Sequence, residues 1–177
     1  MGAPLEHEPR PVMQISSTAR IAIFSQAPGA RVHDSGRPFT DASGVRLRQW
    51  LGIGEEVFYD AARVSIVPMG FCFPGYDAKG ADLPPRRECA PLWRLRLMAA
   101  LPEFETAVLV GKYAQAWHLG DSAATSLTET VRRWRDFAPR FFPLPHPSWR
   151  NNAWIKRNPW FASRLLPKLR RRIKELL

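Results

Sequence analysis

Four short apolar runs constrain this chain more than any other feature: RIAIF (20–24), RVSIV (63–67), TAVLV (106–110) and FFPL (141–144). Each is four or five residues long and rich in β-branched or aromatic side chains. Pro, Gly or a polar loop follows each run, the signature of a short buried strand. Residues 43–51, 89–101, 112–119 and 125–138 carry apolar side chains at helical spacing, and a last helix is predicted from Pro159 to the end. Strands that alternate with helices predict a parallel sheet covered on both faces. The expected fold class is therefore α/β, a three-layer α/β/α sandwich with a central four-stranded parallel sheet. In such folds ligands bind at the carboxyl ends of the strands.

The length of 177 residues suits one domain. Residues 1–17 are polar, contain proline and show no period, so they read as a flexible lead-in. Residues 18–177 read as a single domain with a basic C-terminal helix. No run approaches the roughly 18 apolar residues of a membrane span, and the N-terminus lacks the apolar stretch of a secretory signal. A cytoplasmic monomer is the expectation, with no membrane partner. With only Cys72 and Cys89, a disulfide scaffold is excluded.

The net charge is +10, which points first to a polyanionic partner. Its distribution is uneven. Residues 150–177 hold nine bases (Arg150, Lys156, Arg157, Arg164, Lys168, Arg170, Arg171, Arg172 and Lys174) against Glu175 alone. The remainder of the chain is close to neutral.

Two loops carry candidate chemistry. The one after the first run, SQAPGARVHDSGRPFTDASG (25–44), holds glycines, an aromatic and two aspartates. A carboxylate near an aromatic suits a flat substrate held over acid–base groups. The same residues also fit a long turn with an Asp capping the next helix. Its spacing matches neither the Walker loop nor the dinucleotide fingerprint. The loop after the fourth run, LPHPSWRNN (144–152), fixes His146 between two prolines, and Trp149 and Arg150 can stack on bases and touch phosphates. The Gly- and Pro-rich segment 69–85 is long for a compact domain and marks a further functional candidate.

APG (27–29) with GRPF (36–39), followed by HPS (146–148), resembles the two motifs of the uracil-DNA glycosylase superfamily. The likeness runs from about residue 20 to 160 and is strongest to the iron–sulfur branch (family four) and to family five. Segment 68–93 looks like a less characterised glycosylase-like subgroup. The resemblance implies a monofunctional DNA N-glycosylase of base excision repair. Such an enzyme flips a damaged base, most plausibly uracil, out of single- or double-stranded DNA and hydrolyses its N-glycosidic bond. The alternatives are another deaminated base such as hypoxanthine, or a non-catalytic damage sensor on this fold.

By motif position, His146 would stabilise the departing base and Phe39 would stack on it. Gln26, Ala27, Pro28 and Gly29 would line the substrate loop. Trp149 and Arg150 would enter the minor groove, Pro147 and Ser148, with Pro28 and Gly29, would press on phosphates, and Lys156 and Arg157 would lie beside the duplex. The iron–sulfur branch carries an acid before APG where this chain has Gln26. TDASG (40–44) resembles the family-five segment that carries its catalytic aspartate, with one residue deleted, which implies Asp41 as the activating carboxylate first and Asp34 second. The base-reading position after the second strand falls on Pro68, which leaves Met69, Gly70 and Phe71 as the expected pocket wall. Cys72 and Cys89 resemble the last two cluster ligands of that branch, but the first two are missing. No metal and no cofactor is therefore expected. His118 reads as a packed helix residue. Trp50, Trp93, Trp117 and Trp134 read as core, and Trp154 and Trp160 as packing the tail onto the body.

Overall fold

Every strand residue except Phe141 is buried, which is why the strands read as unbroken apolar runs in the sequence. The computed structural model describes residue 5 and residues 7–177. In chain order the elements are β1 (Ile21–Ser25), α1 (Ala30–Ser35), α2 (Ala42–Leu51), α3 (Glu55–Phe58) and β2 (Val64–Pro68). A π-helical turn, Ala90–Arg94, then runs into α4 (Leu95–Ala100). After it come β3 (Thr106–Val110), α5 (Lys112–Leu119), α6 (Leu127–Arg132), α7 (Trp134–Phe137) and β4 (Phe141–Leu144). The chain closes with α8 (Asn152–Arg157), a second π turn at Phe161–Leu165, and α9 (Leu166–Leu176).

The four strands form one parallel sheet in the order β2-β1-β3-β4. Ile23 sits opposite Ile66 on one side and Val108 on the other, and Val108 sits opposite Phe142. Alternate residues of β1 separate two cores. Ile21 and Ile23 join Leu47 and Trp50 of α2 and Leu169 and Ile173 of α9. Ala22 and Phe24 join Ala114 and Leu119 of α5 and the loop residue Phe104 on the opposite face. The expected α/β/α sandwich is the observed one.

Several details differ from the sequence reading. Within the segment read as one loop (25–44), residues 30–35 form α1, closed by Gly36 at φ 65°. That left-handed C-cap favours glycine, which has no Cβ to clash. Residues 11–16, within the expected lead-in, run beside β2. Val12 is buried, and the backbone of Gln14 exchanges hydrogen bonds with Ile66. Trp50 and Trp134 are core, but Trp93 is 55% exposed and Trp117 36%. The π turn at 90–94 carries an extra residue and rotates the helix face, so Arg94 points inward where Trp93 was expected. Trp154 and Trp160 pack half-buried against the core, as expected.

Arg94 is fully buried. It donates to the Pro68 carbonyl (3.0 Å) and to His118 Nε2 (2.7 Å), and its guanidinium lies 4.7 Å from the Phe24 ring centre. His118 stacks on the Phe24 ring as well, with centroids 3.9 Å apart. A guanidinium can only donate, so the imidazole must be neutral with its proton on Nδ1. Burial and the Arg94 charge pull the His118 pKa down to about 3. Burial lowers Arg94 to about 10 and leaves it charged at neutral pH.

The C-terminal cations close the sheet's amino edge. Arg170 donates to the carbonyls of Gln49 and Trp50 at the end of α2. Arg172 reaches Thr106 Oγ1 and the Glu105 carbonyl at the start of β3. Arg20, just before β1, donates to the Leu176 carbonyl.

Candidate active site

A cleft of about 740 Å³ opens at the carboxyl ends of the strands. Its wall includes Gln26, Ala27, Pro28, Gly29, Phe39 and Asp41 from the β1 side. Pro68 and residues Gly80 and Asp82–Pro85 come from the β2 side, and His146–Asn151 from the loop after β4. Segments over a hundred residues apart in sequence thus face one space.

Asp41 is the N-cap of α2. Its Oδ1 accepts from the Gly44 amide at 3.2 Å and from Ser43 Oγ at 2.6 Å. Oδ2 has no hydrogen-bond partner among the described residues. Capping and an open carboxylate oxygen therefore coexist in one side chain. Asp34, the second candidate, is exposed on α1 and does not line the cleft, because α1 turns it toward solvent.

Phe39 is buried yet has φ 55°, a left-handed conformation costly for a bulky residue. Two contacts hold it there. Tyr59 Oη donates to the Phe39 carbonyl at 3.0 Å. Gly44 packs so close that a Cβ on it would lie 1.8 Å from the same carbonyl oxygen. Only glycine fits, so the first turn of α2 fixes Phe39 and Asp41 together.

His146 is half-buried on the loop after β4, and neither ring nitrogen bonds to a described residue. Its carbonyl accepts from Asn151 Nδ2 at 2.7 Å, which ties the loop to the turn that follows. Arg46 of α2 donates to the Ser148 carbonyl at 3.0 Å and so locks the two motif loops to each other. Gln115, buried on α5, bonds the carbonyls of Leu109 and Leu144 and fixes the strand ends beneath them. Burial pushes the His146 pKa down, with Arg150 adding to that and Asp41 opposing it. The imidazole is neutral at pH 7 and carries one N–H for donation.

Gln26 lines the cleft with its amide directed at β3; a Cβ on Gly111 would sit 2.6 Å from its Nε2. Pro147 is buried and Ser148 half-buried, whereas Trp149 is 74% exposed beside an exposed Arg150. Lys156 and Arg157 lie exposed on α8, one helix beyond, and do not line the cleft.

Met69, Gly70 and Phe71 are not the wall that was expected. The amides of Met69 and Gly70 donate to the carbonyls of Ser25 and Gln26 and extend the β1–β2 ladder. The side chains of Met69 and Phe71 enter the core on the far side of the sheet. The wall is instead built by residues 80–85. There Asp77 Oδ1 accepts from the amides of Lys79 and Ala81, and Leu83 bonds back to Gly75. Reading from sequence missed Asp82, Arg46, Tyr113 and Asn151. The length and composition of 69–85 signalled the segment, but not which of its residues faces inward.

Cys72 and Cys89 are free thiols, both half-buried. Phe71 N donates to Cys89 Sγ, and burial with the neighbouring Cys89 pushes the Cys72 thiol up. Among the described residues no group of three or more His, Cys, Asp or Glu is arranged to hold a metal ion. No described helix is long and apolar enough to cross a membrane. The family model described as Uracil DNA glycosylase superfamily matches residues 12–170.

Proposed function

Because the chain belongs to the uracil DNA glycosylase superfamily, whose general activity is that of a DNA glycosylase, we propose a specific reaction for its cleft. It takes a damaged base flipped out of DNA and hydrolyses the N-glycosidic bond, with uracil as the first candidate base. The observation that carries this reading is the convergence of Phe39, Asp41 and His146 on one cleft at the strand ends.

The chemistry divides among these groups. Phe39 stacks on the extruded base. As the C1′–N bond lengthens, positive charge develops on the sugar and negative charge on the base. The Asp41 carboxylate stabilises the first, orients a water toward C1′ and accepts its proton. Neutral His146 donates to the base and stabilises the second. Trp149 fills the gap left in the stack, and Arg150 meets a phosphate. Pro68 supplies no amide to read the base edge, which favours a second reading in which hypoxanthine or xanthine is the substrate.

Single-turnover incubation with labelled DNA bearing uracil, hypoxanthine or xanthine, followed by alkali, tests both. Strand breaks at uracil support the first reading, and breaks only at a purine support the second. Intact strands with all three bases, while duplex binding persists, would falsify the glycosylase assignment.

A further inference from the structure

Asp82 is a cleft carboxyl that neither motif contains. It stands on the wall formed by residues 80–85, across from Asp41 and the His146 loop. Its Oδ2 lies 3.0 Å from the point a Cβ would occupy on Gly29, so it hangs over the substrate loop. It accepts no hydrogen bond and makes no ion pair with any described residue. Asp41 commits one oxygen to Ser43 and Gly44 and keeps the other open, whereas neither oxygen of Asp82 is committed to a described residue.

An ionised carboxylate there would oppose the departure of an anionic base through like-charge repulsion. The acid form does the opposite, since it carries a proton to give. We propose that Asp82 is the general acid of the reaction: it donates its proton to the departing base while Asp41 takes one from the attacking water. The C1′–N electron pair goes to the base, the Asp82 proton joins the base, and water oxygen bonds to C1′. Exchange with solvent then restores both carboxyls. The role rests on the glycosylase reading above.

The surroundings favour this division of labour. Burial and the charge of Asp41 push the Asp82 pKa up, and only Arg150 opposes them. The other titratable or charged groups on the cleft wall are Arg46, Tyr113 and His146. When DNA binds, phosphates bring negative charge and draw off Arg150. Both changes move Asp82 further toward its acid form. A carboxyl pushed toward its acid form suits the donor of an acid–base pair.

The test compares wild type with Asp82→Asn on DNA holding uracil or 5-fluorouracil, a better leaving group that needs less protonation. Single-turnover rates are read from pH 5.5 to 9, with duplex binding as the control. The expected result is a loss on uracil of about 10²-fold, a much smaller loss on 5-fluorouracil, disappearance of the alkaline fall in rate, and unchanged binding. Equal losses on the two bases, no loss on uracil, or an unaltered pH profile overturn the role of Asp82 and leave the glycosylase reading intact. A wild type inactive on every base overturns both.

Discussion

One pair of substitutions separates the observed role of Asp41 as a helix cap from its proposed role in catalysis. As N-cap it accepts from the Gly44 amide and from the buried Ser43 hydroxyl through Oδ1. Alanine removes both bonds. Loss of such a cap costs about 1 kcal/mol, and leaving the Ser43 hydroxyl unpaired adds about 1 kcal/mol more. For a chain of this size, roughly 2 kcal/mol lowers Tm by about 4–8 °C. Asparagine keeps an acceptor in the same place and loses only its charge at the helix end, about 0.3–1 kcal/mol. Its Tm should fall by less than about 4 °C. The catalytic role requires a carboxylate, so Asp41→Asn should still slow single-turnover cleavage by about 10²–10⁴-fold, equivalent to roughly 3–5 kcal/mol in the barrier. Melting curves and rates measured well below both Tm values decide the matter. If Asp41→Asn cleaves at the wild-type rate while Asp41→Ala loses rate and stability together, Asp41 is a cap and nothing more.

Other outcomes follow from the same geometry. Arg94→Ala strips the donor from Pro68 and His118 and opens a cavity in the second core, so stability should drop by about 3–5 kcal/mol; a melting temperature within a degree of wild type would refute the assigned contacts. His118 is neutral in the folded chain and has an ordinary pKa of 6.5 when unfolded, so between about pH 3 and 6.5 the unfolded chain binds the extra proton. Stability should therefore fall as pH drops through that window, and His118→Phe should flatten the fall in acid melting curves. Arg150→Gln should reduce the log–log salt slope of DNA binding by about one unit. Arg171→Gln, on α9 and paired with Glu175, should leave the slope unchanged.

The four strands were legible because burial on both faces writes them as continuous apolar runs, and β3 and β4 match their expected bounds to the residue. The cleft was legible through APG, Phe39, Asp41 and His146, since motif spacing survives folding. What stayed hidden depends on contacts between distant segments. Helical period shows that residues 89–101 have an apolar face, but not that a π turn would bury Arg94 and leave Trp93 outside. The order of residues after β2 suggested Met69–Phe71 as the wall. The ladder continues two residues past the strand and consumes the amides of Met69 and Gly70, while the Phe71 amide donates to Cys89 Sγ. Asp82 depends on a turn organised by Asp77, a geometry with no periodic signature.

α9 fastens the far edge through Arg170, Arg172 and the tie from Arg20 to Leu176. The cleft opens at the opposite edge. This polarity gives the molecule a natural handle. A dye, surface tether or fused domain attached after Leu177 would project away from bound DNA, whereas one inserted at residues 76–85 would crowd its entrance. Loops at the cleft edge are thus open to exchange without disturbing the end that α9 fastens.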